Sequence, residues 1–379
     1  MMPRRHQLLL ALVLAGAAAA AWWMSRPVAE PQGWVPDPEG NRVFTASLGD
    51  EGLFRSAAPK AMAAAEERET FLYRAMYEAY QKRYGRQWVV GRQLNGSCVA
   101  WGAMHAVLIA ESVSWKAGQR DSPPLIPSTE AIYGGSRCEA RGRTFAGWTD
   151  GSTGFHAAKW LREWGVVYRE PFPSLGVDLT TYSAELEKQW GAYGCGGQND
   201  NGRMDAEAKR HPCRYVSKVR TWEELKAAVV GGFPVTIASN QGFSTGPRDA
   251  MGFSRPQGNW AHQMCVIGIR FKDSGREGAL ILNSWGPDYM GRGAAAGGKY
   301  PADQPDGSFW CDRETMERSI LAADDSWAIG DIHGWEPRRI DNHGWQGLPP
   351  WQLPPDVSVL VQEPSDVTPL APVATGIAF

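Results

Sequence analysis

The chain has 379 residues and a net charge of −2, and 43% of its residues are hydrophobic. That length suits one large domain or two modest ones, and the balanced charge excludes a polyanion partner recruited by a basic surface. Its 43 glycines and 26 prolines argue for a loop-rich globular protein rather than a helical bundle.

At the N-terminus, Arg4 and Arg5 precede an apolar run from Leu8 to Met24, with small residues from Gly16 to Ala21. This reads as a signal peptide or an uncleaved anchor over residues 1–26. The run is at the short edge of a membrane span, which needs about 20 residues. Either reading places the body outside the cytoplasm: secreted, periplasmic or membrane-anchored. No other stretch reads as a span.

Residues 27–65 are rich in proline, glycine and charge and read as a linker or a short pro-segment. Residues 61–84 have helical periodicity, with Phe71, Leu72, Met76, Ala79 and Tyr80 on one face. Residues 98–117 are almost entirely apolar, which predicts a buried helix. A further helix is expected from about Phe155 to Trp164, stopped by Gly165. Thr221-Trp222-Glu223-Glu224 has the form of a capping box, and Gly231-Gly232 ends the helix behind it. From there the pattern turns to short β runs at 234–238, 264–269 and 279–282.

Helices first and strands later argue for an α+β fold of two lobes with a cleft between them. The main domain is expected over 66–340, with a helical lobe at about 85–215 and a β lobe at about 216–335. The proline-rich residues 341–379 read as a flexible tail.

Six cysteines are present, and an exported chain can form disulfides. Cys195 and Cys213 flank a polar loop and are the easiest pair to imagine. Asn199-Asp200-Asn201-Gly202 with Asp205 and Glu207 lacks calcium-loop spacing, and Cys195, His211 and Cys213 lack zinc spacing. No metal or cofactor is expected.

The chemistry centres on Gln93-Leu94-Asn95-Gly96-Ser97-Cys98, a turn leading into the apolar helix. A cysteine opening a helix meets free backbone N–H groups and the positive end of the dipole, which favour the nucleophilic thiolate. It needs a base within hydrogen-bond reach. His105 lies two turns along the same helix, about 10 Å away, and reads as a core or lobe-interface histidine. His6, His211, His333 and His343 lie in the targeting segment, a cysteine-flanked loop and the C-terminal region. His262 stands at the entry to a β run, where a rigid strand would hold its ring. About twenty residues later comes Asn283-Ser284-Trp285-Gly286: an Asn able to orient an imidazole, beside a Trp able to cover that bond.

Cys98, His262 and the 283–286 tetrapeptide resemble the papain-like cysteine peptidases, as a divergent, bacterial-type member. His262-Gln263-Met264-Cys265-Val266-Ile267-Gly268 keeps the family's spacing around the base. Asp150-Gly151-Ser152-Thr153-Gly154, the helix after it and Tyr168-Arg169-Glu170-Pro171-Phe172-Pro173 resemble its Gly-rich turn and following unit. The resemblance covers roughly residues 85–335. It implies a helical lobe facing an antiparallel, barrel-like β lobe. Cys98 would be the nucleophile, His262 the base and later the acid, and Asn283 the orienting residue. Trp285 would shield the His–Asn contact. The Cys98 backbone N–H and the Gln93 amide would form the oxyanion hole. Gly154, His156, Ala238 and Gln263 fall near the main specificity pocket; for His156, a helix-capping role is the alternative.

The chain also departs from the family. Gln93 lies five residues before Cys98 rather than six, with Asn95 as the fallback donor. Val99 replaces the usual Trp, and the half-cystine before the nucleophile and the cysteine of the Gly-rich turn are missing. The usual long prosegment is not evident. Residues 287–306 lengthen the loop after the tetrapeptide and read as a surface loop. The expected function is an exported cysteine peptidase. It would be a monomer acting on peptide or protein, with no nucleic-acid partner and no membrane contact beyond a possible anchor. The alternatives are a papain-fold scaffold without turnover and an envelope amidase.

Overall fold

The structure, a computed structural model, describes residues 31–65, 68–142, 150–246, 248–287, 289 and 305–338. The targeting segment, the 341–379 tail and most of the 287–306 insertion lie outside the described residues.

Residues 38–63, which composition alone marks as linker or pro-segment, hold three short helices: α1 (Pro38–Ser47), α2 (Phe54–Ala57) and α3 (Pro59–Ala63). The prolines that suggest a linker sit at the first helical position of α1 and α3, where proline's missing N–H costs nothing. Asp37 caps α1 by accepting from Gly40 N. The helix expected over 61–84 is broken: β1 (Thr70–Phe71) intervenes, and α4 spans Tyr73–Tyr84, ending on left-handed Gly85.

The long helix α5 (Cys98–Lys116) begins at the cysteine. It is long and apolar enough to cross a bilayer, but it is buried within the protein. Burying side chains such as Val107, Leu108 and Ile109 contributes about 1.5–3 kcal/mol each. Around it stand α6 (Thr129–Arg137), α7 (Gly154–Glu163), α8 (Ala184–Tyr193) and α9 (Arg203–Lys209); of these, only α7 was expected from sequence. In the 199–207 loop, Asp200 accepts from Met204 N in the first turn of α9. Between α7 and α8, β2 (Pro171–Phe172) pairs with β3 (Val177–Asp178).

The second half carries the main sheet. After β4 (Val216–Lys218), α10 (Trp222–Val230) opens with the complete Thr221/Glu224 capping box. Then follow β5 (Val235–Phe243), β6 (Pro256–Arg270), β7 (Gly278–Leu282), β8 (Ser308–Asp312) and β9 (Asp325–Ile329). The order is β4-β9-β5-β6-β7-β8, antiparallel throughout, with β1 also on β6. The architecture is α+β as expected, but the sheet is open, with β4 and β8 at its ends, rather than a closed barrel. α5 lies against β6, so the helix that begins at Cys98 crosses the strand that carries His262.

The expected disulfide is absent. All six cysteines are free and buried. Cys213 Sγ lies 3.2 Å from the Gly330 carbonyl, while the Cys195 N–H donates to Glu139, so each is built into separate surroundings.

Candidate active site

His262 and Asn283 are brought together by sheet register. Cys265 pairs with Leu282 across β6 and β7, so residues just outside that pair face each other. His262 Nε2 lies 2.8 Å from Asn283 Oδ1. The same oxygen accepts from Ser284 N at 2.6 Å, which fixes the amide as the acceptor toward the ring. Trp285 stacks on the imidazole with ring centres 4.1 Å apart, and Trp260 and Tyr289 pack edge-on against Trp285. His262 Nδ1 is buried and has no partner among the described residues. One ring nitrogen is therefore anchored and the other is left for chemistry. Burial holds the imidazole near a pKa of about 4, with the Asn283 bond pulling the other way.

Cys98 is the first residue of α5, and Ser97 before it makes no side-chain cap. The helix start is therefore open toward the sulfur. The thiol is fully buried. Burial pushes it up to about 12, against the pull of the backbone N–H groups of Gln263 and Val99. Gln263 directly follows His262, so the sulfur lies beside the strand segment that bears the imidazole. In both groups burial disfavours the charged form.

Gln93 is also buried and sharply oriented. Its Oε1 accepts from Ser284 Oγ at 2.6 Å, which turns its NH₂ the other way. Nε2 donates to the Asn95 carbonyl at 3.1 Å and to the Pro31 carbonyl at 2.7 Å. Asn95, the fallback donor, is turned away: its Nδ2 donates to Ala184 O and to Glu187.

Three of the four residues expected near a specificity pocket converge. Ala238 pairs with Gln263 on one side and with Asp325 on the other. A Cβ on Gly154 would lie 2.6 Å from Gln263 Oε1 and 2.8 Å from Asp325, so only glycine leaves room here. The Gln263 side chain is committed elsewhere, donating to Val99 O at 2.9 Å. His156 does not join them: its ring meets Thr153 Oγ1 at 2.7 Å and packs on Phe155, as a residue of the α7 N-terminal turn. The sequence reading missed Asp325, which lies on β9 with no motif around it. Its carboxylate accepts from Gly154 N and Trp34 Nε1 at 2.8 Å and from Trp327 Nε1 at 2.9 Å.

Residues 31–35 cover these groups. The Pro31 carbonyl accepts from Gln93 Nε2 and from Trp285 Nε1, the latter at 3.0 Å. Gly33 N and Trp34 N both donate to Ala261 O at 3.0 Å. Trp34 forms a parallel bridge with Ser152, through Val35 N to Ser152 O and Ser152 N to Gly33 O, each 2.8 Å. Gly33 passes so close to the Gly96 carbonyl that a Cβ there would lie 1.9 Å away. The chain's own backbone thus pairs with Ala261, Ser152 and the Gln93 amide.

Compared with solved structures, the chain resembles xylellain, a cysteine protease from Xylella fastidiosa (19% identity, TM-score 0.50, covering 81% of this chain and 98% of that one). Procathepsin B S9 from Trypanosoma congolense (12%, TM-score 0.42, 80% and 82%) and bromelain from Ananas comosus (19%, TM-score 0.37, 65% and 95%) are also similar. No protein-family model and no curated protein matches the chain. The fold is that of the papain-like cysteine proteases.

Proposed function

We propose that this chain is an exported cysteine peptidase, and that residues 31–35 act as an internal pro-segment that keeps its cleft filled. The observation that carries the reading is the His262 ring, with Nε2 held by Asn283 and Nδ1 buried and unpartnered among the described residues, on the strand whose next residue, Gln263, sets its backbone N–H against the Cys98 sulfur. In the reaction, Nδ1 takes the Cys98 proton and the sulfur attacks the peptide carbonyl carbon. The oxyanion forms against the Cys98 N–H and Gln93 Nε2. The tetrahedral intermediate collapses to a thioester as His262 returns the proton to the leaving amine. His262 then deprotonates water, which attacks the thioester and restores the thiol. Asn283 keeps the ring turned and Trp285 keeps water off that contact. Losing one oxyanion donor typically costs about 3 kcal/mol of transition-state stabilisation.

The filled cleft also supports a second reading, a papain-fold scaffold that does not turn over. Full-length protein carrying Gly33→Ala separates the two, because the new Cβ drives the segment off Gly96. Iodoacetamide labelling of Cys98 at about pH 6, followed by mass spectrometry, is compared with and without His262→Ala. The peptidase reading expects slow labelling of the parent and labelling at least about tenfold faster in Gly33→Ala, lost again with His262→Ala, because only an ion-paired thiolate reacts quickly below the ordinary thiol pKa. Labelling of the Gly33→Ala protein at the rate of a free thiol, indifferent to His262, supports the scaffold.

A further inference from the structure

The turn in front of Cys98 lacks the half-cystine of the resembling family, yet each of four consecutive residues is tied down from a different element. Gln93 is tied to Ser284. Leu94 N donates to Tyr182 Oη at 3.3 Å. Asn95 Nδ2 donates to Glu187 Oε2 at 2.9 Å and to Ala184 O at 2.8 Å. Gly96 N donates to Asp150 Oδ2 at 2.7 Å, and Tyr133 Oη donates to the same carboxylate.

Two of those four ties run through Glu187. It lies in α8, wholly buried, and Oε2 also accepts from Tyr182 Oη at 2.8 Å. Tyr182 in turn sets its ring edge against Trp101 of α5, 5.1 Å between centres. A buried carboxylate is costly unless its partners repay the lost water, and an apolar side chain packs α8 without that cost. Burial pushes Glu187 up to about 7 while the Asn95 and Tyr182 bonds draw it back. What the carboxylate does that an apolar residue cannot is grip Asn95 and, through Tyr182, Leu94. The Asn95 carbonyl is the second acceptor of Gln93 Nε2, so the grip reaches the proposed oxyanion donor directly.

We infer that Glu187 is a positioning residue for acyl transfer, holding through Asn95 and Tyr182 the short turn that aims the Gln93 amide. The inference rests on the peptidase reading above. Cys98 itself is fixed by α5, so disturbing the turn should weaken oxyanion stabilisation without changing the reactivity of the sulfur.

The test uses full-length protein opened by Gly33→Ala, with a blocked peptidyl-coumarin amide as substrate. Glu187→Leu removes the acceptor, Asn95→Ala removes the donor while leaving every α8 side chain in place, and Glu187→Gln keeps an acceptor in place. The first two should lower kcat about tenfold, with KM and the iodoacetamide rate at Cys98 within about twofold, and Glu187→Gln should restore most of the loss. The double variant Glu187→Leu/Asn95→Ala should be no worse than the poorer single one, as expected for residues acting through one contact. If Glu187→Leu does not fold, Asn95→Ala decides. Unchanged kcat, additive losses, or alkylation falling in step with kcat would overturn the inference. If the opened parent turns over no amide at all, the peptidase reading fails first and the inference falls with it.

Discussion

The two sides of the cleft are built in different ways. His262, Asn283 and Trp285 come from one stretch of about two dozen residues, and sheet register alone sets them against each other. The turn before Cys98 is fixed by side chains from Tyr182, Glu187, Asp150 and Ser284, nearly 200 residues away at the farthest, and its cleft face is covered by residues 31–35. A histidine held by neighbouring strands is robust to change elsewhere. A cysteine whose turn is held by scattered polar contacts can be shifted from many places.

The sharpest way to break this contrast is to remove the base. In the Gly33→Ala background, His262→Ala should reduce peptide turnover about a thousandfold, the middle of the range for losing a general base. Asn283→Ala should cost less, about tenfold to a hundredfold in the same assay, because Trp285 still stacks on the ring. Equal losses from the two would mean that Asn283 does more than orient.

Asp325 offers a smaller effect on the pocket side. It now accepts from the Trp34 indole, so a substrate side chain with an N–H donor should take the same place once the segment leaves. Asp325→Asn places an NH₂ group among three donors. Competition assays should show preference for tryptophan over leucine at that position falling about tenfold, the worth of one hydrogen bond to a charged group. The same change should speed iodoacetamide labelling of Cys98 in the otherwise unaltered chain, since it weakens the segment's side-chain anchor. Unchanged selectivity would remove Asp325 from recognition.

The parts that local pattern dictates were legible in the sequence. The apolar run of α5, the Thr221 capping box and the β runs needed no distant partner to be seen, and neither did the spacing from His262 to Asn283. The helices of 38–63 were hidden because proline at a helix start looks like proline in a linker until the helix is in view. Asp325, Glu187 and the covering segment were hidden for another reason: a lone Asp at a strand start, a Glu in a polar helix and a Gly-Trp pair carry no signal until folding brings their partners close. The expected Cys195–Cys213 bridge failed similarly, since proximity in sequence across a loop says nothing about which way two thiols point.

Two buried histidines extend the contrast to stability. His262 has a partner on one nitrogen; His105, inside α5, has none on either nitrogen among the described residues and meets the ring edges of Trp88 and Trp101. Burial lowers His105 to about 3, His262 to about 4 and His156, with Arg141 and Lys159 adding to the effect, to about 3. All three are neutral in the folded protein where the unfolded chain binds protons, near pH 6.5. From that pH down to the folded values the unfolded state holds more protons, so each histidine lowers stability as pH falls, by about 1.4 kcal/mol per pH unit. Glu187 runs the other way: its folded value of about 7 lies above the ordinary carboxylate range, so the folded protein gains protons first and stability rises as pH falls toward 4.5. The net slope mixes both signs, and the difference between two proteins isolates one group. His105→Leu keeps an apolar body in the core and removes one titration and two unpaired nitrogens. Urea midpoints at pH 7.5 should be equal to or above those of the parent, and at pH 5 the variant should have lost less. A parallel loss in both proteins would mean that His105 is protonated in the fold despite its burial.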